Sequence, residues 1–180
     1  MPDAWTYIVE EPRRTELLRD FGLTDLVISL GGGGEIPDEI FDYYCVKPSH
    51  SLDDENQAGS ELVVGVFESR HGDCYGVRKR GDGVEFVYFH VKKTEDLVVI
   101  GSLEKSLLGL LFEEIADSAF HTRDELSRAA NAIGFKYLDE VLEYVFSERE
   151  IILKGNRQRD MKAYFKRRLA FVRDLSNRNE

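Results

Sequence analysis

Four runs set the fold: Leu62-Val63-Val64-Gly65-Val66-Phe67, Cys74-Tyr75-Gly76-Val77, Val84-Glu85-Phe86-Val87-Tyr88-Phe89-His90-Val91 and Leu97-Val98-Val99-Ile100. Each is β-branched or aromatic. They are joined by Ser69 to Asp73, Gly81-Asp82-Gly83 and Lys92 to Asp96, all rich in turn residues. Short strand-like runs at such intervals predict a four-stranded antiparallel meander. In the third run Val84, Phe86, Tyr88 and His90 alternate with Glu85, Val87, Phe89 and Val91. Both faces are therefore largely apolar, which places this strand inside the sheet rather than at its edge.

Working toward the N-terminus, Glu11 to Phe21 reads as a short helix, with Pro12 in its first turn, Leu17, Leu18 and Phe21 on one face and Gly22 as the stop. Leu26 to Leu30 reads as a buried strand. After four glycines, Ile36-Pro37-Asp38-Glu39-Ile40 has the form of a helix start, running to about Tyr44. Lys47 to Ser60 has the composition of an exposed acidic loop, expected to be the most mobile segment.

Toward the C-terminus, Ser102 is placed to cap a helix with Leu103, Leu107, Leu110, Leu111 and Ile115 on one stripe, a stripe expected to pack on the sheet. Thr122 and Glu125 have capping-box spacing, and the helix they open ends at Gly134. Two more helices are expected, from Tyr137 to Phe146 and from Arg157 to Leu175. The last carries Met161, Tyr164, Phe165, Leu169 and Val172 on one face and Lys162, Lys166, Arg167, Arg168 and Arg173 mostly on the other. The fold class is α+β: an antiparallel or mixed sheet of about four to six strands with helices, over residues 1–119, and a C-terminal helical extension over 120–180.

Composition excludes several classes. With 42% hydrophobic, 11% aromatic and 32% charged residues, the chain is that of a folded protein. Cys45 and Cys74 show no metal or disulfide spacing and read as two buried thiols. The longest uncharged run, Leu26 to Gly34, is nine residues, far short of a membrane span, and the N-terminus lacks a signal-peptide pattern, so a cytoplasmic protein is expected. The net charge of −10 is unevenly placed: residues 1–60 carry 13 acids and 4 bases, residues 121–180 carry 10 acids and 13 bases. An acidic front repels phosphate backbones and attracts basic partners.

No catalytic set emerges from spacing. Gly31 to Gly34 suggests a phosphate loop, but no Lys-Ser/Thr follows, and Glu35, Asp38 and Glu39 put negative charge where a phosphate would sit. A small hydrolase using His71, Asp73 or Cys74, which are close in sequence, is a second alternative, yet Asp73 and Cys74 should point to opposite sides of a strand. His50, His71, His90 and His121 share no ligand spacing, so neither a metal nor a cofactor is expected. The acidic residues Asp38, Glu39, Asp42, Asp53, Asp54 and Glu55 are the candidate surface for a basic protein. Lys162, Lys166, Arg167, Arg168 and Arg173 are the alternative, a strip for nucleic acid, though such a helix can equally dock on the chain's own acidic front.

The segment Gly33-x-x-Ile36-Pro37-x-x-Ile40-x-x-Tyr43-Tyr44 resembles the G-x-x-L-P-x-x-Y-x-x-F-L helix start of the SMI1/KNR4-like superfamily, also called SUKH. Leu62 to Phe67 followed by Gly72-Asp73-Cys74-Tyr75 is similar to that family's strand and Gly-Asp-x-Tyr hairpin. Val84 to Tyr88 and then Val98 to Ile100 with Ser102 to Leu111 are similar to its later strands and closing helix. The resemblance covers roughly residues 11 to 116. It departs in lacking the Asn-Gly-Gly after the Leu-Pro helix and in adding three C-terminal helices. It implies an α+β domain that binds rather than catalyses, of the kind bacteria use as immunity proteins against toxins. The partner it implies is a protein such as a basic toxin domain, met by acidic residues with aromatic anchors.

Overall fold

Alternating faces and glycine-bearing turns do produce the meander. In the computed structural model, residues 6–7, 11–33, 51–52, 62–68, 72–90, 93–118, 122–154 and 161–178 are described. The chain divides into two compact units, Met1–Glu104 and Lys105–Glu180. The fold is α+β.

In the first unit, β1 (Thr6–Tyr7) pairs antiparallel with β2 (Ser51–Leu52) as a separate short ladder. The main sheet runs β3 (Val64–Glu68), β4 (Asp73–Arg80), β5 (Gly83–His90) and β6 (Lys93–Gly101) in that spatial order, all antiparallel. Sequence neighbours are thus spatial neighbours, and β5 lies inside the sheet as its two apolar faces require. Arg80 pairs with Gly83 around the Gly81-Asp82 turn, where Gly81 takes φ +59°, a conformation that costs glycine little.

The register Tyr75↔Tyr88 and Phe67↔Tyr75 gathers three rings on one face, Phe67 stacked on Tyr75 at 4.5 Å and Tyr75 tilted against Tyr88 at 5.4 Å. Val63, Cys74, Val87 and Phe89 form a buried cluster with Leu97 and Val99 against it. A bulge interrupts β3 between Gly65 and Phe67, and beside it the buried Arg14 Nη1 donates to the Gly65 carbonyl at 2.7 Å. Burial pulls the Arg14 guanidinium below its ordinary value, with Glu11 acting the other way.

Gly76 faces Gly65 across this edge, and a Cβ there would stand 2.8 Å from the Val64 carbonyl oxygen and 3.1 Å from Val63 Cγ1. The first neighbour is backbone and cannot swing away. Gly76→Ala is expected to destabilise the protein by about 1–3 kcal/mol, read as a lowered urea midpoint.

Helix α1 (Arg13–Asp20) stands where expected, and the Glu11 carboxylate accepts from Thr15 N at 3.3 Å and Thr15 Oγ1 at 2.6 Å, occupying one of its free first-turn amides. The expected strand Leu26 to Leu30 is a correction: Asp25–Ile28 forms a one-turn helix, α2, and Ser29–Gly33 follows as a turn kinked at Gly32, whose φ of +98° is not helical. Thr24 enters extended, at φ −68° and ψ 156°, and its amide and hydroxyl donate to Glu104 at 2.8 and 2.6 Å. A short apolar run carries no period of its own, so this flanking geometry decided its conformation. The expected helix at Ile36 to Tyr44 and the loop Lys47 to Ser60 lie outside the described residues, apart from β2 within the latter.

The second unit is helical: α3 (Glu104–Ser118, whose first residue closes the first unit), α4 (Arg123–Ala132), α5 (Leu138–Lys154) and α6 (Met161–Asn177). The Thr122–Glu125 capping box is complete, and Gly134 turns the chain at φ +68°. The boundary therefore falls at Glu104, ahead of the expected one at residue 119, because α3 is part of this unit's core. Leu107, Leu110, Leu111, Phe112 and Ile115 are buried, Phe112 stacks on Phe135 at 4.7 Å, and Leu175 lies against Gly109. Leu103, expected on the apolar stripe, is instead 46% exposed, since the helix begins one residue after it.

Candidate functional site

The C-terminal unit holds a concentration of buried charge. In α3, Ser106, Leu110 and Glu113 follow at helical spacing, so Glu113 sits on a buried stripe. In α6, Tyr164, Arg168, Val172 and Leu175 share one stripe in the same way, and all four are buried. A carboxylate and a guanidinium on facing apolar stripes meet because neither can be left unpaired away from water.

Tyr164 Oη donates to Glu113 Oε1 at 2.6 Å, Arg168 Nε donates to Glu113 Oε2 at 2.6 Å, and Arg168 Nη2 donates to Glu114 Oε1 at 2.5 Å. One residue along, Arg167 grips Glu148 of α5 with Nε on Oε1 at 2.5 Å and Nη2 on Oε2 at 2.7 Å. The Tyr144 ring stacks on Phe171 at 4.3 Å, and its buried hydroxyl has no hydrogen-bond partner among the described residues. Burial raises the Glu113 carboxyl above the ordinary carboxylate range; Arg168 pulls it back, Glu114 pushes it further up, and the Tyr164 hydroxyl lowers it. Both tyrosines are held well above the ordinary phenol value, chiefly by burial and then by the Glu113 charge. They remain neutral phenols. The arrangement fastens α3, α5 and α6 together by charge-assisted bonds, and offers no easily ionised nucleophile.

This placement corrects the reading of the last helix. Arg168 does not lie on the solvent side: its side chain is 4% exposed and bound to two carboxylates. Arg167 is half-buried on Glu148, while Lys166 and Arg173 are exposed; Lys162 belongs to α6, but its side chain lies outside the described residues. The acids that the helix meets in its described contacts are Glu113, Glu114 and Glu148 of its own unit, which are not those of the acidic front over residues 1–60. Glu113 and Arg168 were missed as partners, although the spacing from Tyr164 to Arg168 to Val172 already places Arg168 on the apolar stripe.

The acidic candidates Asp38, Glu39, Asp42, Asp53, Asp54 and Glu55 all lie outside the described residues. So does His71. The structure does not bring Asp73 and Cys74 together: Cys74 is in the apolar cluster on one sheet face, and Asp73 Oδ1 accepts from Tyr88 Oη at 2.7 Å on the other. Among the described residues no group of three or more His, Cys, Asp or Glu could hold a metal ion, and no helix is long and apolar enough to cross a membrane.

Fold and site together define an α+β chain whose basic C-terminal helix is partly neutralised from within. No protein-family model, curated protein or solved structure matches the chain.

Proposed function

We propose that the chain is a non-catalytic protein-binding domain of the cytoplasm that neutralises a toxin by direct contact, as an immunity protein does. The observation that carries this reading is the pairing of Arg167 and Arg168 with Glu148, Glu113 and Glu114. Arg168, 4% exposed and bound to two carboxylates, cannot also neutralise a phosphate, and the half-exposed Arg167 is already paired with Glu148. That pairing disfavours a nucleic-acid strip, and the net charge of −10 favours a basic partner. The SUKH resemblance of residues 11 to 116 supports the same conclusion.

The test is affinity capture with the tagged full chain, at low and high salt. One basic protein should be recovered, lost at high salt and lost when Asp53, Asp54 and Glu55 are changed to lysine. Recovery of nucleic acid instead, diminished by Lys166→Glu and Arg173→Glu, would overturn the reading. Arg167 and Arg168 are unsuited to this test because their loss disturbs the helices.

A further inference from the structure

We infer that Glu113 is a proton-operated latch: a proton held there tightens the clasp of α3 on α6, and its loss as pH rises loosens the C-terminal unit. The device is regulatory and does not depend on what the chain binds. Glu113 is 1% exposed, so the cost of a charge away from water falls on it almost in full. Its two oxygens meet one donor each, the Tyr164 hydroxyl at 2.6 Å and Arg168 Nε at 2.6 Å. That guanidinium is divided, because its Nη2 donates to Glu114 at 2.5 Å. Two adjacent carboxylates draw on one buried cation, and the deeper of them is the costlier to ionise.

The same geometry can hold a proton without moving a heavy atom. A phenol hydroxyl both donates and accepts, so a protonated Glu113 Oε1 donates back to Tyr164 Oη across the same 2.6 Å, while Oε2 still accepts from Arg168. The Arg168 charge is then left to Glu114. Around them, Glu148 of α5 is held by Arg167 of α6, Tyr144 of α5 presents a neutral phenol, and Asp117 of α3 lies 3.9 Å from Arg149 of α5. Burial outweighs the pull of Arg168 and Tyr164, and Glu114 pushes the same way as burial, so the Glu113 carboxyl stands above its ordinary 4.5. Such a group takes up a proton on folding. Its contribution to stability is fully present below 4.5 and is lost as pH rises through the raised value.

The experiment follows the carboxyl carbons of the carbon-13-labelled full chain by NMR from about pH 4 to 9, with Glu113 assigned by correlation to its own backbone. Its signal should titrate above 4.5 and apart from those of exposed glutamates. Urea unfolding read by helical circular dichroism then compares the parent with Glu113→Gln over the same range. Glutamine reproduces the protonated form, accepting from Arg168 and donating to Tyr164, and has no proton to lose. The parent's urea midpoint should therefore fall relative to that of Glu113→Gln as pH rises through the Glu113 titration. A Glu113 signal that titrates at or below 4.5, or does not titrate, overturns the proposal, and that reading needs only the parent chain. Midpoints of parent and variant that stay a constant distance apart at every pH overturn it as well.

Discussion

Replacing Arg168 by methionine should destabilise the C-terminal helices by about 3–5 kcal/mol, because it leaves a buried carboxylate without its cation. Glu113 is 1% exposed and would keep only the Tyr164 hydroxyl as a donor among the contacts described above. Urea unfolding followed by helical circular dichroism measures the loss. Glu113→Gln combined with Arg168→Met removes both charges and keeps an acceptor for Tyr164, so it should recover at least half of it. A double variant no better than Arg168→Met would mean that the guanidinium acts by packing alone.

The same variant carries a pH signature. Burial already holds the Glu113 carboxyl above its ordinary value of 4.5, and removing Arg168 takes away the largest opposing influence. The folded state then binds a proton more tightly than the unfolded chain. Its stability is fully present below the ordinary value and is lost as pH rises through the folded one. The deficit of Arg168→Met relative to the parent should grow as pH rises through the raised Glu113 value and should shrink as pH falls toward 4.5. A deficit independent of pH would show that Glu113 is not the group left uncompensated.

Phe67→Ala should cost about 3–5 kcal/mol, from lost apolar burial and the cavity left behind. Phe67 is fully buried on the edge strand β3 and stacks on Tyr75, which in turn meets Tyr88. Removing the first ring loosens the other two, so cross-strand order should suffer along with stability. Phe67→Leu, which refills most of the volume, should lose far less. Near-equal losses would indicate that β3 collapses around the change.

Much of this was legible in the residues themselves. The meander needed only period-two alternation and turn chemistry, both local, and Gly81-Asp82 lies between β4 and β5 as read. The Thr122–Glu125 capping box is likewise a four-residue matter, and the structure closes it as written. The run Leu26 to Leu30 was not legible, since five apolar or small residues suit a buried strand and a helical turn equally.

Local chemistry determined the α+β class, the strand order and the start of α4, because each depends on residues within a few positions of one another. Tertiary structure decided what the charges do. Helical spacing places Arg168 on a stripe, but Glu113 and Glu114 reach it across separations of 55 and 54 residues. Only the packing of α3 against α6 removes the water that would otherwise solvate them, and that loss of water turns a basic helix into a bound one.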